Sequence, residues 1–331
     1  MHPGASTLVL VTVGLGGGAC HFSGAGNEAP AIDIDAAAAP HVPVDAPSGP
    51  YPIVLAHGLF GFDKLGPLDY FYGISNALTA SGRRVFAPRV DAVQSPEVRG
   101  AQLVAAIEDA RVQTHAAKVI VIGHSQGGLD ARWAAAHDPS SIAAVVTVAT
   151  PHRGSPVADV ALGILPGNSS AALDVLANFF GASTTGSSAS FQGAMMALSS
   201  SGAAAFNAAT PDVPGMPYYS IAGRSNLAHA GDCAPAAANF MATWDGSVDP
   251  LGAELLPVGA ILGLATLGNT PTNDGLVTVD SASWGTFLGC VPADHLDEVC
   301  QIAGQSPGLG NDFACLELWT GLEHYLRAHD L

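Results

Sequence analysis

Residues 118–132 read KVIVIGHSQGGLDAR: an apolar β-type run enters a Gly-His-Ser-Gln-Gly turn and leaves it as a helix. No other stretch restricts the fold as far. A strand that is apolar on both faces is buried in a sheet covered on both sides. A tight strand-to-helix turn needs small residues at Gly123 and Gly127, because side chains there would collide with the neighbouring strand or helix. Ser125 then projects from the turn, beside the amides of a helix N-terminus, where developing negative charge is stabilised. The bland alternative is a serine in a glycine-rich bend, since such a pentapeptide arises by chance in a chain with 39 glycines. Strand before and helix after favour a nucleophile.

The surrounding chain repeats the same alternation. YPIVLAHG (51–58), RRVFAPRV (83–90), KVIVIG (118–123), AAVVTVAT (143–150) and PYYSIAG (217–223) are strand candidates. Segments 69–82, 99–115 and 127–138 carry apolar residues at helical spacing. Strands separated by helices require right-handed crossovers, so the expected fold is α/β, a mostly parallel sheet with helices on both faces. In such a sheet the chemistry sits at the carboxyl ends of the strands. Residues 155–212 break the rhythm with Ala-, Leu-, Phe- and Met-rich helical patterns and no strong strand. They read either as a helical cap or as a lid whose apolar face meets an apolar substrate.

A serine nucleophile at neutral pH needs a base, and the base needs an orienting carboxylate. Of 12 histidines, His57, His124 and His152 sit beside strand ends and read as structural or as pocket wall. His295, in VPADHLDEV, lies late in the chain in a polar loop, and Asp274, in TNDGLV, precedes it by 21 residues. Asp280 and Asp294 are the other candidates for the acid. The oxyanion needs two backbone donors: the amide of Gln126, directly after the serine, and the amide of Leu59 in the HGLFG loop.

Composition bounds the partners. Eleven basic against 28 acidic residues, a formal charge of -17, repel nucleic acid and anionic membrane surfaces, and calcium is the partner such a balance tolerates best. No apolar run approaches the roughly 18–20 residues of a spanning helix. Residues 1–20 fit an export signal, with a short apolar run ending in small residues but no basic residue before it. Gly18-Ala19-Cys20 resembles the end of a lipobox, so a lipid anchor at Cys20 and plain secretion both stay open. Residues 21–50, rich in Ala, Pro, Gly and Asp, read as a flexible tether before a catalytic domain at 51–331. Cys233, Cys290, Cys300 and Cys315 then form an even set in an exported chain. The favoured pairing of the three is Cys233 with Cys290 and Cys300 with Cys315, the second bracketing a short loop.

YPIVLAHGLFGFDKLGPLDYFYGI, VIGHSQGGLDAR, TVATPHRGSPVAD, NDGLV and HLDEVCQ resemble, in order and spacing, the bacterial true lipases of the Pseudomonas and Burkholderia type. The resemblance covers residues 51–331 and implies an α/β-hydrolase fold without the first two strands of larger members, with a helical lid at 155–212. It implies hydrolysis of triacylglycerol esters at an oil–water interface, with Ser125, Asp274 and His295 as the triad and Leu59 and Gln126 as the oxyanion hole. It also implies one calcium ion on the histidine loop, held by Asp297, Gln301, Gln305 and, among earlier aspartates, Asp249 or Asp245. Oxygen ligands of this kind suit a hard cation. Where relatives have a cysteine shortly after the acid loop, Thr278, Val279 and Asp280 stand here, which opens the disulfide pattern, the acyl preference and the need for a folding chaperone. A monomer is expected. A short-chain carboxylesterase or extracellular polyhydroxyalkanoate depolymerase is the near alternative, and a non-catalytic surface binding protein the remote one.

Overall fold

In the computed structural model the described residues are 50–59, 61, 64–65, 68–165, 188–225, 233, 236–244, 247, 249–252, 255–265, 270–301 and 311–331. The export signal and tether, residues 166–187 of the insertion, Asp245 and Gln305 lie outside them.

Six parallel strands run in the order β4-β1-β5-β6-β7-β8: β1 (Ile53–Ala56), β4 (Val85–Phe86), β5 (Val119–His124), β6 (Ile142–Val148), β7 (Tyr218–Gly223) and β8 (Thr286–Val291). The double-sided apolar pattern has a direct cause. Ile120 and Ile122 of β5 pack with Ile74 and Leu78 of α1 (Ile74–Ala80) and with Leu318 and Leu322 of the last helix, Cys315–Arg327. Val119 and Val121 face the other way, onto Leu103 and Ile107 of α2 (Pro96–Thr114) and Ala131 of α3 (Gln126–His137). Each fully buried Val or Ile contributes about 1.5–3 kcal/mol, so this strand cannot slip register without inverting both faces.

The structure departs from the sequence pattern at informative places. The segment expected to be helical over 69–82 opens as a small antiparallel hairpin, β2 (Lys64–Leu65) with β3 (Leu68–Asp69), and the helix starts only after Gly73, whose φ of 71° is left-handed. Helix α2 begins earlier than periodicity suggests because Pro96 occupies its first turn. Strand β8, TFLGCV, is broken in pattern by Gly289 and Cys290, and the sequence reading did not find it.

Between β6 and β7 the described part of the insertion forms α4 (Pro156–Ala161), α5 (Ser188–Leu198) and α6 (Ser200–Ala209). Helices α5 and α6 are separated at Ser199, whose Oγ accepts from the amide of Gly202 and caps α6. A third apolar cluster joins these helices to α7 (Leu256–Ala265) through Val157, Met195, Leu198, Phe206 and Leu255. This cluster covers one end of the sheet.

Candidate active site

The residues singled out from sequence come from the segments that follow β1 (Leu59), β5 (Ser125 and Gln126), β7 (Asp274) and β8 (His295). Ser125 links β5 to α3 with φ 54° and ψ -129°, a conformation that costs a non-glycine residue about 1–3 kcal/mol and persists only where neighbours enforce it. Here they do. A Cβ on Gly123 would lie 2.3 Å from the Gly127 carbonyl oxygen, and one on Gly127 would lie 2.1 Å from that of Ala56. The Ser125 amide is fixed by the Val148 carbonyl at 2.9 Å, and α3 starts at Gln126, so the Gln126 amide is the first of the helix.

His295 and Asp274 meet in a buried pair. His295 Nδ1 lies 2.8 Å from Asp274 Oδ2, and the His295 amide donates to the Asp274 carbonyl at 2.9 Å. The other carboxylate oxygen, Oδ1, accepts from the amides of Leu276 at 2.8 Å and Val277 at 2.6 Å. With both oxygens committed, Nδ1 is the protonated ring nitrogen and Nε2 is left for a proton from elsewhere. Ser125, His295 and Leu59 line one cavity, whose remaining wall is largely apolar, with Val157, Met195 and Leu198 prominent. Asp280 is exposed at the start of a one-turn helix, and Asp294 turns away toward the amides of Gly252, Leu296 and Asp297. Neither contacts the imidazole.

Residues 51–226 match the family described as alpha/beta hydrolase fold. A triacylglycerol lipase of Pseudomonas fragi is 35% identical over 276 residues, covering 76% of this chain and 89% of that protein. One of Vibrio cholerae is 33% identical over 288 residues, covering 77% and 81%. The chain belongs to the bacterial triacylglycerol lipase family of α/β hydrolases. Among solved structures, a Bacillus licheniformis lipase in mature form superposes with a TM-score of 0.56 at 22% identity, covering 77% of this hydrolase and 90% of that chain, which speaks for the fold.

The loop that carries Leu59 in this hydrolase is held by a side chain the sequence reading missed. Arg99, fully buried on α2, donates from Nη2 to the carbonyls of His57 (2.6 Å) and Gly58 (3.2 Å) and from Nε to Asp130 of α3 (2.7 Å). The signal was an arginine on the face of α2 that also presents Leu103 and Ile107 to the core. His57 itself accepts the Val90 amide at Nε2 and lies 2.9 Å from the Gly58 carbonyl at Nδ1, so it is part of the wall.

Asp249, Asp294 and Asp297 bring one carboxylate oxygen each within 4.8 Å of one another. Asp249 Oδ2 is buried with no hydrogen-bond partner among the described residues, and burial pushes this carboxyl up to about 7. An oxygen-rich set with an orphaned buried acceptor fits a hard cation. Asp294 is the member not expected from sequence. The Gln301 side-chain nitrogen donates to the carbonyls of Asp69 (2.9 Å) and Tyr70 (2.5 Å), which holds that side chain against the segment before α1. Disulfides join Cys233 to Cys290 and Cys300 to Cys315, the latter five residues beyond His295. No helix among the described residues is long and apolar enough to cross a membrane.

Proposed function

We propose that this hydrolase cleaves carboxylic ester bonds of triacylglycerols through an acyl-enzyme on Ser125. The observation that carries the reading is the convergence of a strained serine elbow and a carboxylate-oriented imidazole on one apolar cavity. His295 Nε2 takes the Ser125 proton as Oγ attacks the ester carbonyl, then returns it to the leaving alcohol. Asp274 holds the imidazole in the required tautomer and stabilises the imidazolium. The amides of Leu59 and Gln126 receive the oxyanion, and water repeats the cycle to release the fatty acid.

Substrate class follows from the walls. Met195 lines the cavity while its neighbour Met196 is 49% exposed, and Ile164, in the bend after α4, and Leu256, at the start of α7, are 46% and 41% exposed. Apolar residues on both sides of a helical cover suit a lid that meets a lipid surface when it opens. The acidic cluster is read as a calcium site, Asp249, Asp294 and Asp297 supplying carboxylates and Gln301 and Gln305 backbone oxygens; the bound ion would neutralise the cluster and brace the histidine loop. Disulfides and the family relatives support export. Emulsified triolein and soluble p-nitrophenyl butyrate separate the readings: a rate on triolein that climbs once droplets form supports the lipase, whereas preference for the soluble ester with no interfacial gain supports a short-chain esterase.

A further inference from the structure

We infer that Tyr70 is a positioning residue for the oxyanion hole, held in place by a hydrogen bond to His124, whose imidazole packs against that of His295 and so ties the Leu59 loop to the His295 loop. The inference rests on the serine-hydrolase reading above and adds to it a pair of side chains that the reaction itself does not use.

The contacts form a continuous series. The Gly58 amide donates to Tyr70 Oη at 3.0 Å, Tyr70 Oη lies 2.7 Å from His124 Nδ1, and His124 Nε2 faces Glu298 Oε2 at 3.4 Å. Three of the loops that carry site residues supply a member close by in sequence: Gly58 precedes Leu59, His124 precedes Ser125, and Glu298 is three residues past His295. The rings of His124 and His295 also pack with centroids 4.6 Å apart. A Cβ on Gly58 would meet Tyr70 Oη at 2.7 Å and Ser125 Cβ at 2.8 Å, so hydroxyl and nucleophile flank the same backbone atom.

Tyr70 Oη serves both neighbours in either tautomer of His124: the Gly58 N–H takes one lone pair, and the hydroxyl proton or the second lone pair remains for the 2.7 Å contact with His124 Nδ1. Burial raises the Tyr70 hydroxyl well above its ordinary pKa, so it stays a neutral hydroxyl throughout the working range.

The effect on the oxyanion hole follows from two peptide planes. In the plane joining His57 to Gly58, Tyr70 holds the N–H and Arg99 holds the C=O. In the plane joining Gly58 to Leu59, the C=O accepts from Arg99 (3.2 Å), from the Gly61 amide (3.1 Å) and from His57 Nδ1 (2.9 Å), and the opposite end of that plane is the Leu59 N–H. Removing the hydroxyl frees one end of the first plane and lets the Leu59 donor drift from the position the oxyanion takes.

The test compares Tyr70→Phe, His124→Phe and the double variant, each checked for a native melting transition. Loss of a whole oxyanion donor costs about 10²–10³ in kcat, so a loosened donor is expected to cost ~10-fold. Tyr70→Phe should lower kcat by about that factor with KM within roughly twofold, and weaken a long-chain trifluoromethyl ketone, which forms the tetrahedral adduct, in proportion. The double variant should lose no more than the worse single one. Unchanged kcat in Tyr70→Phe, a loss confined to KM, or losses that multiply would overturn the inference. If His124→Phe does not fold, the kcat and ketone results for Tyr70→Phe decide alone. Fluorophosphonate titration of the unaltered enzyme separates the two layers: no labelling overturns the serine reading, while full labelling with unchanged Tyr70→Phe kinetics overturns only the positioning role.

Discussion

At the residue scale, Ser125 shows why a candidate nucleophile can be read from sequence while the side chains around it cannot. Its neighbours Gly123 and Gly127 are small because backbone atoms pass within 2.3 Å of where their Cβ atoms would be, and that demand is written locally. The order serine, aspartate, histidine was equally visible. Tyr70 and Arg99 act across 54 and 42 residues of chain, and contacts of that span leave no local pattern. Asp274→Asn should lower kcat by about 10⁴ with little change in fold, because the amide presents the wrong tautomer to Nδ1; steady-state kinetics on a soluble ester measure it. His152 offers a pH test. Burial, with Arg132 and Arg153 adding to it, holds its pKa well below 6.5, and Arg132 Nη1 donates to its Nδ1 at 3.3 Å. A histidine with a depressed folded pKa contributes stability above its unfolded pKa and loses it as pH falls below that value. Relative to His152→Asn, the native protein should lose about 1.4 kcal/mol more per pH unit below pH ~6.5 in urea unfolding. Parallel slopes would contradict a neutral buried His152.

At the element scale, long strands with both faces buried were legible and short or interrupted ones were not. Strand β5 announced itself; β4 was expected over 83–90 but spans only Val85–Phe86, and β8, carrying Gly289 and Cys290, was not read at all. The start of the helix was misread because Phe71 stands at helical spacing with Ile74 and Leu78 while Gly73, at positive φ, keeps α1 from starting earlier. The final helix is tied to the histidine loop by Cys300–Cys315 and by Trp319 Nε1, which donates to the Glu298 carbonyl at 2.9 Å. The bridge closes a span of 15 residues, for which loop-closure entropy gives about 3 kcal/mol. Replacing both cysteines by serine should therefore cost 2–4 kcal/mol (an order-of-magnitude figure) in chemical denaturation. A change within ~0.5 kcal/mol would show that the unfolded chain is not held by this bridge.

At the scale of the whole molecule, composition and charge narrowed the partners before any motif did, and a charge of -17 leaves an acidic protein with a cluster of three carboxylates near its histidine loop. The sequence pointed to Asp249 and Asp297; Asp294 joined them only through folding, because its own carboxylate caps the turn it starts. If a cation holds this cluster, chelation should lower the melting temperature by several degrees and reduce activity in step, and added calcium should restore both. Equal melting curves in chelator and in excess calcium would remove the ion from the account. The most direct measurement is intact-mass and peptide analysis after reaction with a long-chain fluorophosphonate. The account predicts one adduct per chain, on Ser125, absent in Ser125→Ala and slowed in Asp274→Asn. An unmodified chain, or an adduct on another residue that survives Ser125→Ala, would contradict it.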